Sequence, residues 1–142
     1  MLGTRLAALA VALAATGCPA SGPSPPPSCE VGKVDPATCA PLYPPTFENV
    51  YRTTITRSCG GNRSACHTAT GDGNMDLSNI TVAYESLLAG RVTPGDAACS
   101  ELVVRVTGVG ADYQMPQGSP LSASEQCAIA QWVDHGAMGV AP

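Results

Sequence analysis

The chain has 142 residues, of which 7 are basic, 11 are acidic and 7 are cysteine. Its formal net charge of -4 argues against a nucleic-acid-binding protein, because such proteins need a surplus of basic side chains to meet the phosphates. Aromatic residues make up only 4% of the chain, so the core is expected to be thin and to need a cofactor or disulfides as additional support.

Residues 1–18 are predicted to form a bacterial export signal. Arg5 supplies the positive charge, and residues 6–15 form an apolar run that is too short for a membrane-spanning helix, which needs about 20 residues. The run is followed by small residues and Cys18, which resembles a lipobox, where the cysteine is lipidated and becomes the mature N-terminus. We therefore predict a lipid anchor in the cell envelope, facing the periplasm or the exterior. An ordinary secretory signal with a spare Cys18 is the alternative.

A proline-rich segment follows over residues 19–46. Nine of its residues are proline, which removes backbone donors and favours an extended chain. We predict a tether that holds a folded domain, residues 47–142, off a membrane. Without residues 1–17, whose only charged side chain is Arg5, 6 basic residues face 11 acidic ones, and the net charge of -5 again argues against nucleic acid.

Four helices are predicted within residues 47–142, which makes the domain all-α. Apolar residues at helical spacing place the first over about 47–57. The second is predicted over 78–88, with its first residue, a serine, as the cap. The third is predicted to start at the turn Pro94-Gly95-Asp96 and to stop by Gly108, although its β-branched residues 102–106 fit a strand equally well. The fourth, over 122–136, begins with a capping box, a serine followed three positions later by glutamate.

The segment between the first two predicted helices carries the candidate chemistry. Cys66 stands directly before His67, and Cys59 lies seven positions before Cys66. Cys-His is the end of a c-type haem attachment site, where the thiol bonds a haem vinyl and the imidazole binds the iron. The usual site has two residues between its cysteines, and this segment has six. The segment is either a stretched haem site or a Cys59–Cys66 disulfide loop, worth about 2–3 kcal/mol.

The remaining cysteines of the exported part are disulfide candidates, because export places the chain in an oxidising compartment. Cys29 and Cys39 enclose a short loop in the tether and are expected to pair. Cys99 and Cys127 lie in two separate predicted helices and could staple them. Apart from Cys18 there are six cysteines, which allow 15 pairings, so several connectivities stay open.

The order of these segments resembles a class I cytochrome c domain, and more narrowly the planctomycete-type cytochrome c-like domains of bacterial lipoproteins. The resemblance covers about residues 47–138, and the order of the segments carries it rather than any single one. The shared segments are Cys59 to His67, Asp76-Leu77-Ser78, Pro94-Gly95-Asp96, Met115-Pro116-Gln117-Gly118, and Leu121-Ser122-Ala123-Ser124-Glu125 leading to Trp132.

The resemblance implies one haem c in a small helical domain. Cys59 and Cys66 would form the thioethers, with a single thioether through Cys66 as the alternative. His67 would be the proximal iron ligand and Met115 the distal one, and the last helix would pack against the first with Trp132 near the haem edge. Because both axial positions would be filled, the implied function is electron transfer to or from a redox partner protein rather than catalysis.

Other interpretations stay open. One is a haem-free, disulfide-stapled helical surface lipoprotein with a binding or structural role. Another is a haem enzyme or sensor with an open distal site, which needs Met115 off the iron; Met115 could also be a core side chain, and Met75 is a competing distal ligand. A zinc site using both histidines, His67 and His135, with Cys59 and Cys66 is conceivable, although the spacings match no standard pattern. His135 otherwise reads as a helix C-terminal cap.

Overall fold

The structure, a computed structural model, describes residues 23–31, 33–60, 66–71 and 73–140. Over these ranges the chain forms four helices and no strand, so the prediction of a mostly α-helical protein is confirmed. None of the described helices is both long and apolar enough to cross a bilayer. The export signal predicted over residues 1–18, including Cys18, lies outside the described residues.

The first helix consists of three consecutive stretches: α1 (Phe47–Asn49), a π-helical stretch (Val50–Ile55) and α2 (Thr56–Ser58). Thr46 caps it, since its hydroxyl accepts a hydrogen bond from the backbone N–H of Asn49 at 3.4 Å. The predicted helix is confirmed to within one residue. Its π-helical centre was not predicted, because hydrophobic spacing does not distinguish a locally widened turn from an α-helical one.

The second helix, α3 (Ile80–Leu88), begins slightly later than predicted. Asn79 rather than Ser78 is its cap, and the Asn79 side chain accepts a hydrogen bond from Val82 N at 3.0 Å. The third helix, α4 (Glu101–Thr107), settles the choice between helix and strand in favour of a helix.

The last helix, α5 (Ala123–Asp134), begins at the predicted capping box. Glu125 N donates to Ser122 Oγ at 3.3 Å, and Ser122 N donates back to Glu125 Oε2 at 3.0 Å. This reciprocal pair satisfies two backbone donors that the first turn leaves without helical partners. The helix ends two residues earlier than predicted.

The core forms where α5 packs against the first helix. The Trp132 ring centroid lies 5.0 Å from that of Phe47, which lies 5.1 Å from that of Tyr84 in α3. Trp132 is 1% exposed, and its indole N–H donates to Met138 O at 2.9 Å. The expected packing of the last helix on the first is therefore present. Other buried apolar side chains are Val50, Ile55, Leu77, Leu87, Ile129 and Val133.

Two disulfides join the proline-rich segment to the helical part. They connect Cys29 with Cys99 and Cys39 with Cys127, across sequence separations of 70 and 88 residues. The pairing expected from the sequence, Cys29 with Cys39 and Cys99 with Cys127, is therefore wrong. The physical reason is that the segment folds back along the helices, so each of its cysteines meets a cysteine of the domain before it meets its neighbour in sequence.

Backbone hydrogen bonds fasten the same segment. Leu42 N donates to Ser124 O at 2.9 Å, and the Gln131 side chain donates to Pro36 O at 2.9 Å. The described part of the predicted tether, from residue 29 onward, thus lies against the helical domain and does not extend away from it.

Candidate functional site at the end of the first helix

A short backbone contact closes the segment that carries the cysteine-histidine motif. Cys59 N and Gly60 N both donate to Ile55 O, at 2.9 and 3.0 Å, where α2 ends. Gly60 and His67 then form an isolated parallel bridge. A Cβ added to Gly60 would lie 2.7 Å from His67 O, so this close approach requires glycine. Gly60 and His67, which directly follow Cys59 and Cys66, therefore lie next to each other.

His67 is held on several sides. It is 9% exposed, and its carbonyl accepts a hydrogen bond from Leu77 N at 2.9 Å. Gly73, at φ +84°, lies against the imidazole: a Cβ added there would be 2.9 Å from Cε1 and 3.1 Å from Nδ1 of the ring. The ring therefore has a restricted orientation, as an iron-binding imidazole requires.

The two cysteines of the motif differ in chemical state. Cys59 has a partly buried thiol, and burial raises its pKa to about 12, with the Glu125 carboxylate adding to the rise and Arg57 opposing it. Cys66 is disulfide-bonded. The Cys59–Cys66 disulfide considered from the sequence is therefore not formed here. Because a thioether forms from a thiol, Cys66 could bond haem only after its disulfide is reduced.

The two methionines considered as distal ligands occupy different settings. Met115 lies half-buried in the loop between α4 and α5, and its backbone N–H donates to Arg105 O at 3.0 Å. Met75 packs against the hydrophobic core, as Cys59 does. Met75 therefore already has a packing role, whereas Met115 lies on a loop that is hydrogen-bonded to α4.

Three charged side chains connect the His67 side of the protein with the Met115 loop. This connection was not predicted from the sequence. Arg91 donates to Gly73 O at 3.1 Å and to Glu101 at 2.5 Å. Glu101 accepts from Arg105 Nε at 2.7 Å, and Arg105 Nη1 donates to Tyr113 O at 3.2 Å. We call this set the Arg91–Glu101–Arg105 chain. The four-residue spacing of Glu101 and Arg105 was its one sequence signal.

The chemistry of these donors suits haem, with one exception. His67 offers an imidazole, Met115 a soft thioether sulfur, and Cys59 a thiol, which are the donor types that c-type haem uses. Cys66 fits only in its reduced form. Within the described ranges, no three His, Cys, Asp or Glu side chains come together as a metal site, so the zinc alternative gains no support there. His135 is the C-terminal cap residue of α5, as the simpler interpretation had it.

A buried carboxylate lies near the motif. Glu125 is 6% exposed, and it pairs with Arg57 across 68 residues. Its other oxygen accepts hydrogen bonds from Ser122 N at 3.0 Å and Ser122 Oγ at 2.8 Å. Thr54 Oγ1 donates at 3.3 Å to Glu125 Oε1, the same oxygen that Arg57 contacts, and the Tyr43 hydroxyl lies 2.6 Å from Thr54 Oγ1. This polar cluster links the first helix to the start of α5.

The pH dependence of stability should reveal the charge on Glu125. Burial acts to raise the pKa of its carboxyl, but hydrogen bonds from Ser122 and the charge of Arg57 outweigh burial, and the pKa lies below its ordinary value of 4.5. A lowered folded-state pKa contributes stability above the unfolded-state pKa, and that contribution is lost as the pH falls through the folded value.

We therefore expect the difference in unfolding free energy between the wild type and Glu125→Gln to be largest at neutral pH and to shrink in acid. Urea titrations from pH 7 down to about pH 3 would measure it. Glu48→Gln, at an exposed pair with Arg52, is the control and should show little difference at any pH. A Glu125→Gln difference that is constant with pH would contradict this account.

A cavity of about 390 Å³ lies elsewhere, between the proline-rich segment and the helices. Its walls include Glu30, Lys33, Asp96, Val103 and Asp134. None of the side chains predicted to bind haem lines it, so this cavity does not belong to the candidate site.

Comparison with known proteins adds no relative. The chain matches no protein-family model, no curated protein and no solved structure. The resemblance to cytochrome c-like domains therefore rests on the chain's own residues and their order.

Proposed function

We propose that this chain is a lipid-anchored, extracytoplasmic, mono-haem c-type electron carrier. The observation that carries the proposal is the setting of His67. Its imidazole is buried, it directly follows a cysteine, and it lies just beyond the helix that packs on the Trp132 helix. Its ring is seated against Gly73, which restricts its orientation.

When bound, haem would supply a one-electron ferric/ferrous couple. His67 would hold the iron through its imidazole, and Gly73 would keep that ring from rotating. Met115 would be the second protein ligand, and its soft sulfur would favour ferrous iron and so raise the reduction potential. Because the protein would supply both of these ligands, the expected task is electron transfer with a redox partner protein rather than catalysis.

Attachment through Cys66 needs a prior redox step. Two electrons and two protons from a dithiol reductant would convert its disulfide to thiols, and the reductant would leave as a disulfide. The Cys66 S–H could then add across a vinyl group to give the thioether. Cys59 already has a thiol, so both sulfurs, or one alone, could carry the attachment.

The chemistry of the other cysteines supports the proposed location. The Cys29–Cys99 and Cys39–Cys127 disulfides persist in an oxidising compartment, which supports a place outside the cytoplasm. The lipid anchor at Cys18 is proposed from the sequence alone.

Replacing His67 with alanine should abolish the low-spin haem spectrum, because the iron would lose its proximal ligand. Absorption spectra of reduced protein, matured in a host that attaches c-type haem, would measure this. His135→Ala is the matched control, since it removes the other histidine of the chain from the end of α5. A His67→Ala spectrum identical to that of the wild type would contradict the assignment.

A second candidate is favoured by one observation, the disulfide at Cys66. If that disulfide is permanent, Cys66 cannot form a thioether, which supports a haem-free, disulfide-stapled surface lipoprotein with a binding or structural role. A thioether at either Cys59 or Cys66 would rule this second candidate out.

A further inference from the structure

We propose that the Arg91–Glu101–Arg105 chain is a positioning device, which fixes the segment covering His67 relative to the loop that presents Met115. This inference deepens the proposed function, and its consequence for iron ligation rests on that function. The mechanical coupling itself depends only on contacts within the protein.

The Arg91–Glu101–Arg105 chain contacts one segment at each end: the segment beside His67 and the loop that carries Met115. At one end Arg91 Nη2 donates to the carbonyl of Gly73, the residue against which the His67 ring is seated. At the other end Arg105 holds the loop twice: its side chain donates to Tyr113 O, and its own carbonyl accepts from Met115 N. Movement of Gly73 must therefore displace Arg91, and movement of the Met115 loop must displace Arg105.

Glu101 joins the two arginines. Its two oxygens are divided between them, at 2.5 Å from Arg91 Nη1 and 2.7 Å from Arg105 Nε. Burial acts to raise the pKa of the Glu101 carboxyl, but hydrogen bonds from Arg105 and Arg91 outweigh burial and lower it, so the group is charged at neutral pH. Without that charge, two cationic side chains would repel each other across a short distance.

The three side chains of the Arg91–Glu101–Arg105 chain are partly buried. The side chains of Arg91, Glu101 and Arg105 are 35%, 22% and 19% exposed, so solvent screens them less than an ordinary surface pair. Arg91 uses two nitrogens of one planar group to contact Gly73 and Glu101, which fixes the distance between those two partners.

The test is an Arg91→Lys variant of the full chain, followed by amide hydrogen exchange measured by NMR. Lysine has a single charged nitrogen on a flexible stem and cannot reproduce the planar fork. Two amides report the two ends: Leu77 N–H, bonded to His67 O, and Met115 N–H, bonded to Arg105 O. We expect both to exchange faster, by roughly tenfold.

The matched control is Arg52→Lys, which alters an exposed pair with Glu48 and should change neither amide. An increase at Leu77 alone would overturn the coupling, and so would no change at either amide. Should Arg91→Lys fail to fold, Glu101→Gln provides the same test, because glutamine keeps the shape but cannot accept from both arginines. In that variant too, both amides must respond.

In haem-loaded protein, Glu101→Gln should lower the reduction potential and speed carbon monoxide binding to the ferrous form, because Met115 would occupy the iron for less of the time. A merely structural role would lower the unfolding midpoint and leave both properties unchanged. If the wild type acquires no haem, the proposed function fails. The hydrogen-exchange result still decides whether the Arg91–Glu101–Arg105 chain couples the His67 segment to the Met115 loop.

Discussion

Replacing both Cys39 and Cys127 with serine is expected to lower the free energy of unfolding by about 4–5 kcal/mol, one of the two largest single effects in this protein. The bond spans 88 residues, so its loss releases a long loop in the unfolded chain. It also ties the segment before the first helix to the middle of α5. Urea unfolding followed by circular dichroism would measure the loss.

The same variant also tests the pairing. Peptide mapping without reduction should still find Cys29 bonded to Cys99 in the double variant. The pairing first expected from the sequence would instead leave Cys29 and Cys99 as two unbonded thiols. A loss below about 1 kcal/mol, or unbonded Cys29 and Cys99 thiols in the double variant, would contradict the structure.

Truncating Trp132 to alanine is expected to cost about 3–5 kcal/mol, because it opens a cavity where α5 meets the first helix. The indole is 1% exposed and contacts the Phe47 ring, and its N–H is bonded to Met138 O. Thermal and urea unfolding would measure the effect, with Val140→Ala, at a 40% exposed side chain, as a nearly neutral control.

If Trp132→Ala is too unstable to study, Trp132→Phe should show an intermediate loss, since phenylalanine keeps much of the apolar volume and loses the hydrogen bond to Met138 O. A loss below about 1 kcal/mol for the alanine variant would mean that the core does not lie at this crossing.

The helices were predictable where their signals are local. The capping box at Ser122 and Glu125 involves residues three positions apart, and the structure forms it as the sequence indicated. The cap of α3 was misplaced by one residue, because Ser78 and Asn79 are both good cap residues and only the path of the backbone selects between them. Whether residues 102–106 form a helix or a strand depends on what they pack against.

The disulfide pairing was not predictable, since it depends on how residues 29–46 fold back along the helices. Short sequence distance favoured Cys29 with Cys39, and the tertiary path overrode it. In the candidate site, too, local features were predictable and contacts between distant segments were not. The adjacency of Cys66 and His67 is visible in the sequence, whereas Gly73 against the His67 ring is a contact between segments and can be seen only in the fold.

The central claim is that haem is covalently bound to the Cys59–His67 segment, and the most direct test is intact mass together with a reduced-state absorption spectrum. The protein would be exported in a host that matures c-type cytochromes. A mass gain of one haem, about 616 Da, with sharp α and β bands is the predicted result. Colourless protein whose mass lacks the haem increment and is lower only by about 2 Da for each disulfide would contradict the claim and leave a disulfide-stapled, haem-free domain.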